Sequence, residues 1–345
     1  MQIENTQLKI GNFVSRKFTL LTGNATTALY LILKSLNLPK GSKIMIPNSS
    51  CPHVPTSIYL ASHQPVFIDI DKKNFGLNLS NIKKNISNKI KAIIAVHAYG
   101  IPCEIKKISK YCEKKNIILI EDAALTLGLK IKNRYTGSFG LASVFSFGKG
   151  KVINAGGGGV ILTNNNDLYN KVFHNYQKLN KKSRVNRTII DQMNENHTKI
   201  YNKYFLSNQK HKLKKFFKSN YLNKAVFLLH KFETKNLKKI LFNKKRIKKI
   251  FSRRYRNINF LNNRLKDVSN NFFEISKSNY KGIPWRFNIF FFNEKNRNFV
   301  LKNLLKSKIK VSSWHPSLDI FFQNRKKMNY PISDNLSKYI LNIWI

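Results

Sequence analysis

Apolar residues recur every three or four positions in ATTALYLILKSLN, Ala25 to Asn37, and the run stops before Pro39 and Gly41. That spacing predicts a helix with breakers just past its end. KIMIP then predicts a strand, Pro52 to Ala61 a helix, and PVFIDID a further strand. SNIKKNI predicts a helix with Ser80 as its N-cap. AIIAVH (Ala92 to His97) is apolar throughout, and EIKKISKYCEKKN (Glu104 to Asn116) has one apolar face. IILIEDA (Ile117 to Ala123), SVFSF and GGGVILT predict three more strands. Strands that alternate with helices, several of them apolar on both faces, predict an α/β domain with a largely parallel sheet.

The pattern changes beyond about Asn166. Lys171 to Lys266 is basic, poor in Gly and Pro, and helix-prone; its aromatic and aliphatic residues at helical spacing read as core. The tail predicts a strand in IPWRFNIFFF, a helix in NRNFVLKNLLKSK, a strand in KVSSWHP and a closing helix in NLSKYILNIWI. No internal repeat or low-complexity linker interrupts the chain. The expected layout is a large α/β domain over residues 1–200, then a helical segment and a smaller C-terminal α+β domain over residues 201–345.

Composition narrows the class. In 345 residues, 42% hydrophobic and 12% aromatic content suit a packed core and exclude wholesale disorder. No apolar run approaches the roughly 20 residues of a membrane helix. MQIENTQLKIG lacks the apolar stretch of a signal peptide. Cys51, Cys103 and Cys112 are odd in number and not spaced as metal ligands, so a cytoplasmic location and no metal site are expected.

The charge is +47, from 63 Lys+Arg against 16 Asp+Glu. An anionic membrane or nucleic acid is one reading of such an excess. The basic residues are spread along the chain with no recognition module, so no specific nucleic-acid partner is expected. The scarcity of acids has its own consequence: an Asp or Glu in an apolar setting stands out.

Three segments carry candidate chemistry, each near the end of a predicted strand, where ligands collect in open parallel sheets. TGNATTAL offers backbone N–H groups and the hydroxyls of Thr26 and Thr27 at a helix start, a phosphate cradle or simply a capped helix. IILIEDA delivers Glu121 and Asp122 to the end of a buried strand, as a cap or a functional carboxylate. FSFGKGKVINAGGGG places Ser146, Lys149 and Lys151 before four glycines. A partly desolvated lysine there would be an amine nucleophile; a solvated one would do nothing. Pyridoxal phosphate needs all three parts: a lysine, an acid for its ring nitrogen and a phosphate cradle.

In their order and spacing these segments resemble the DegT/DnrJ/StrS sugar aminotransferases, from about Thr22 to Asn164. GSKIMIP with PVFIDID, AVHAYG, IILIEDAA and SFG…SVFSF are similar to that family's strings, and PISDNLSKYILNIWI resembles its closing helix. The resemblance implies a type I pyridoxal-phosphate transferase fold. In that family the Schiff-base lysine follows the ring-binding aspartate by about 29 positions and precedes the glycine run by five. Lys151 stands 29 after Asp122 and five before Gly156, so the resemblance selects Lys151 over Lys149. It also implies that Ser146, Thr26 and Thr27 bind the phosphate.

The implied activity is transfer of an amino group from an amino acid donor, typically glutamate, to a nucleotide-linked keto sugar for cell-surface polysaccharide. A homodimer is implied as well. Departures from the family pattern are Leu125 in place of glutamine and Cys51 in place of a ring-stacking aromatic, with His53 nearby. Another is the region Tyr176 to Asn196, where no segment resembles the one that reaches the partner's phosphate site. These leave open another pyridoxal-phosphate reaction, such as dehydration, and a non-catalytic member that binds anionic partners.

Overall fold

The computed structural model describes residues 2–206, 210–240, 243–268, 272–277, 282, 285–323 and 330–345. A helix α1 (Gln2–Val14) and an edge strand β1 (Phe18–Thr22) precede the first element that the hydrophobic pattern predicted. Then come α2 (Ala25–Ser35), β2 (Lys43–Pro47), α3 (His53–Leu60), β3 (Gln64–Ile68), α4 (Leu79–Asn85) and β4 (Ile90–Val96). They are followed by α5 (Ile105–Lys114), β5 (Ile118–Asp122), a small ribbon of β6 (Lys130–Ile131) and β7 (Arg134–Tyr135), β8 (Ala142–Ser146) and β9 (Gly159–Thr163).

Seven of these strands form one sheet in the order β1-β9-β8-β5-β4-β2-β3. Its β3-β2-β4-β5-β8 pairings are all parallel, while β9 runs antiparallel to both β8 and β1. The mixed α/β architecture and mostly parallel sheet expected from the sequence are present.

Strand pleat sorts the core. Ala92, Ile94, Ile120 and Val144 pack on one face against α2 and α3. Ile93, Ala95 and Leu119 pack on the other against α4 and α5. Residues at alternate positions point to opposite faces, so each such strand is apolar throughout. Helix α2 buries Leu29, Leu31, Ile32 and Leu33, each contributing roughly 1.5–3 kcal/mol of transfer free energy.

The chain continues through α6 (Asn166–Gln177), α7 (Arg184–Leu206), α8 (Lys210–Lys218) and α9 (Lys244–Leu265), joined by short single turns over residues 219–239. A second sheet is wholly antiparallel, in the order β10-β11-β13-β12. It consists of β10 (Phe273–Ile275), β11 (Arg286–Phe291), β12 (Val311–Ser312) and β13 (Ile340–Trp344), with α10 (Glu294–Lys306), α11 (Asp319–Phe322) and α12 (Pro331–Tyr339) between the strands. Asp69, at the end of β3, accepts N–H groups of Ile332 and Ser333 at 3.0 and 2.9 Å. One of the scarce acids thus caps α12 and ties the second sheet to the first.

Two sequence expectations are corrected. The N-cap of α4 is Asn78, whose side chain accepts from Asn81 N–H, not Ser80, which lies inside the helix. Both residue types cap well, and two adjacent candidates cannot be separated by type alone. The closing helix ends at Tyr339, and ILNIW is a strand paired on both sides, with β11 and β12. β-Branched and aromatic residues gain more from those two ladders than from one more helical turn.

Candidate active site

Period-two alternation decides which side chains reach the strand ends together. Ile120 and Asp122 share a face of β5, and Val144 and Ser146 share a face of β8. That face is the one covered by α2, whose N-terminus follows β1 directly. Glu121 points the opposite way, into the other face of the sheet.

Glu121 is fully buried and accepts Gly137 N–H at 2.5 Å, Phe139 N–H at 2.9 Å and His97 Nε2–H at 2.8 Å. Cys103 N–H lies 3.3 Å from His97 Nδ1, and the other ring nitrogen, Nε2, faces Glu121. Burial pushes the Glu121 pKa up, but His97 and the two peptide N–H groups outweigh it and hold the carboxyl below its ordinary value. This acid secures the turn after β7.

Asp122 stays at the site, with Oδ1 accepting Ala124 N–H at 3.0 Å. Burial raises its pKa, opposed by that N–H and by the charges of Lys151 and His97. Lys151 lies in the loop between β8 and β9, its N–H bonded to Gly148 O at 3.2 Å. Burial lowers the Lys151 pKa; Cys51 and Asp122 oppose the shift and Arg286 adds to it. Lys149 is exposed. The two lysines differ in environment: Lys151 lies in the field of a buried acid, and Lys149 faces water.

The three hydroxyls expected to form a phosphate cradle differ in their surroundings. Asn24 caps α2 through Thr27 N–H at 2.8 Å. The Thr27 hydroxyl donates to Leu228 O at 2.8 Å, so its proton is already committed. Thr26 is buried and Ser146 Oγ receives only a long 3.4 Å contact from Gly148 N–H. Of the three hydroxyls, those of Thr26 and Ser146 are the two with capacity for a ligand.

Residues 228–230 cross the helix start, and no sequence signal marked them. Gly23 N–H donates to His230 O at 3.1 Å and Asn24 Nδ2 to Leu228 O at 2.7 Å. A Cβ on Gly23 would lie 2.2 Å from the His230 ring and 2.5 Å from its carbonyl oxygen, closer than any real contact. Gly23→Ala is therefore expected to displace this segment, lower the thermal midpoint and weaken binding at the cradle about tenfold. An unchanged midpoint and an unchanged cofactor titration would show that the segment yields without cost.

The second sheet supplies groups that sequence reasoning missed. Trp285 N–H donates to Tyr99 O at 3.0 Å and His315 N–H to Tyr99 Oη at 2.7 Å, bringing β11 and the loop after β12 over the ends of β4 and β5. Trp285 Nε1 donates to Gly150 O at 3.1 Å, one residue before Lys151. The His315 ring stacks on Trp285 at 5.8 Å and 9°. Burial, then the charges of Arg286 and Lys151, hold His315 well below its ordinary pKa and hence neutral. The only hint in the sequence is the apposition of an aromatic and a basic residue in IPWRF and SSWHP. His53 turns its ring edge-on to Tyr221 at 5.1 Å, while Cys51 sits in the field of Lys151 and Asp122.

The donor set fits pyridoxal phosphate. Asp122 and Ser146 end adjacent strands under α2, whose first turn holds Thr26, Lys151 lies in the field of Asp122, and Ser50 Oγ, Arg286 Nε and His315 Nδ1 are buried without partners among the described residues. The sequence profile of the DegT/DnrJ/EryC1/StrS aminotransferase family matches residues 3–218. The chain belongs to that family.

Among curated relatives of this aminotransferase-family chain, GDP-perosamine synthase of Escherichia coli O157:H7 is 35% identical over 158 residues, covering 46% of this chain and 43% of the relative. UDP-N-acetyl-3-dehydro-alpha-D-glucosamine 3-aminotransferase of Acidithiobacillus ferrooxidans is 31% identical over 150 residues, covering 43% of this chain and 41% of the relative. The matched segment thus spans less than half of either relative. Among solved structures, Helicobacter pylori PseC, an aminotransferase involved in the biosynthesis of pseudoaminic acid, has a TM-score of 0.76 at 18% identity. That match covers 99% of this chain and 85% of PseC. DesI in the presence of its TDP-sugar product has a TM-score of 0.73 at 18% identity, covering 100% of this chain and 79% of DesI. These likenesses establish the fold of the family member.

Proposed function

We propose that the protein is a pyridoxal-phosphate-dependent aminotransferase that moves an amino group from an amino acid donor, glutamate, to a keto group on a nucleotide-linked sugar. The product enters cell-surface polysaccharide such as lipopolysaccharide, and the enzyme works in the cytoplasm as a homodimer. The observation that carries the reading is Lys151 in the field of buried Asp122, with Ser146 on the same face of the sheet as Asp122 and Thr26 in the first turn of the helix that covers it. The relatives named for GDP-perosamine and for a UDP-sugar 3-amination support the acceptor class. Among the described residues no helix is long and apolar enough to cross a membrane.

When bound, the cofactor supplies an aldehyde that an amine can bond and a ring that withdraws electrons from the neighbouring carbon. Asp122 would hold a proton at the ring nitrogen, because an ionised carboxylate favours the charged form of a neighbouring base. Thr26 Oγ1, Ser146 Oγ and the first N–H groups of α2 would bind the phosphate. Lys151 has a depressed pKa, so more of its amine carries a free lone pair at neutral pH. Its Nζ is the group that would take a proton from a substrate carbon and return it. Arg286 from β11 and His315 from the loop after β12 would close the site.

The test is stoichiometric. Purified protein with glutamate and a panel of nucleotide-linked keto sugars should release one 2-oxoglutarate for each amino sugar formed. Sugar consumption without 2-oxoglutarate would replace amination with dehydration.

A further inference from the structure

His230 is buried at the start of α2, with its ring against Gly23, where a Cβ would lie 2.2 Å from Nδ1. Both ring nitrogens have partners of fixed role. Nδ1 lies 2.9 Å from Lys231 O, which can only accept, so Nδ1 carries a hydrogen. Nε2 lies 3.3 Å from Asn24 Nδ2, which can only donate, so Nε2 accepts. The amide of Asn24 is itself fixed: Oδ1 accepts Thr27 N–H at 2.8 Å and Nδ2 donates to Leu228 O at 2.7 Å. A neutral ring protonated at Nδ1 satisfies all of these contacts together.

The backbone ties the same residue to the strand ends. Gly23 N–H donates to His230 O at 3.1 Å, and Gly158 N–H donates to Gly23 O at 3.0 Å. His230 thus reaches the glycine run after Lys151 through Gly23. A proton added at Nε2 would set N–H against N–H across the Asn24 contact. Relief requires Asn24 to turn, which withdraws Oδ1 from Thr27 N–H, or residues 228–231 to lift away. Either loosens the start of α2.

The surroundings of the ring oppose that proton. Burial comes first in holding His230 below its ordinary pKa; Lys231 O and Glu233 act the other way, and Lys182 adds to the lowering. Glu233 is shared with Lys182, Arg187 and Lys235 at 3.6, 3.5 and 3.1 Å, so its charge is largely answered already. Lys231 Nζ lies over the Tyr176 ring, 6.0 Å from its centroid. The N-terminus of α2 carries partial positive charge, the same sign as an imidazolium. We propose that His230 is a positioning residue that holds the start of α2 in shape only while neutral, so that proton uptake on its ring and anion binding at that helix start oppose one another. This rests on the aminotransferase reading above and adds a proton-sensitive clasp to its cofactor site.

The experiment follows the imidazole resonances of histidine-labelled protein against pH, with and without inorganic phosphate; the His230 signal is the one absent from His230→Gln. The neutral ring should show the Nδ1–H tautomer, and phosphate should move its titration to lower pH, as reciprocity requires. Glutamine keeps an acceptor where Nε2 stands and takes up no proton. Pyridoxal phosphate is then titrated into both proteins across the same pH range. The affinity of His230→Gln relative to wild type should rise by up to about tenfold for each pH unit below the onset of His230 protonation. The ratio cancels the cofactor's own titration. If His230→Gln does not fold, His230→Asn assigns the signal, and the phosphate-dependent shift in wild type decides.

An Nε2–H tautomer, or a His230 titration that phosphate leaves in place, overturns the proposal. A titration that phosphate moves to higher pH also overturns it, and would make the ring a counter-charge to the anion instead of a clasp. A ratio of affinities that is the same at every pH would reduce His230 to a packing residue. A wild type that takes up no pyridoxal phosphate would fail the proposed function, while the phosphate titration would still report on His230.

Discussion

Lys151→Ala should abolish the visible absorbance of the lysine-bound cofactor and reduce amine transfer by about 10⁴-fold, the upper range for losing a positioned proton carrier. Lys149→Ala should keep the band and nearly all of the activity. The contrast follows from environment, since both residues are lysines two positions apart. Lys151 lies in the combined field of Asp122, Cys51 and Arg286, whereas Lys149 is exposed. If both variants keep the band, Lys151 is not the bonding amine. If both lose it, the loop and not the amine is at issue, and near-ultraviolet circular dichroism of the two proteins separates the cases.

The largest effect on stability is expected at Glu121. Glu121→Ala leaves His97 Nε2–H and the N–H groups of Gly137 and Phe139 without their acceptor in a buried setting. Such a broken network costs about 3–5 kcal/mol, measurable by urea unfolding at neutral pH. The pH dependence has a defined sign. The folded-state pKa of Glu121 lies below the ordinary value of 4.5. Its contribution is therefore fully present above pH 4.5 and is lost as the pH falls through the folded-state value. Glu121→Ala should flatten that acid limb of the stability curve. A variant within about 0.5 kcal/mol of wild type would show that the turn after β7 holds without its acid.

Much of the large sheet was legible because its strands are short apolar runs between helices with clear periodicity. β4, β5 and β8 lie where continuous apolar segments predicted strands, and α2 and α5 where helical spacing predicted helices. The last strand was not legible: ILNIW reads equally as one more turn of α12 until β11 and β12 are there to pair with it. The α4 cap failed for a smaller reason, as Asn78 and Ser80 are chemically equivalent candidates two positions apart.

The sequence by itself determined which residues stand at the strand ends. Asp122 and Ser146 end β5 and β8, short apolar runs that read as strands from the sequence alone, and Lys151 follows Ser146 by five positions. What only the tertiary structure decided is what faces them. Arg286, His315 and Trp285 arrive from a sheet more than 130 positions away, and the carbonyls of Leu228 and His230 arrive from an irregular segment with no periodicity. Long-range packing also decided that Thr27 spends its hydroxyl on Leu228 while Thr26 keeps its own. Local propensity acts over a few residues; contacts across a hundred or more depend on how whole layers pack, and no short pattern in the chain encodes them.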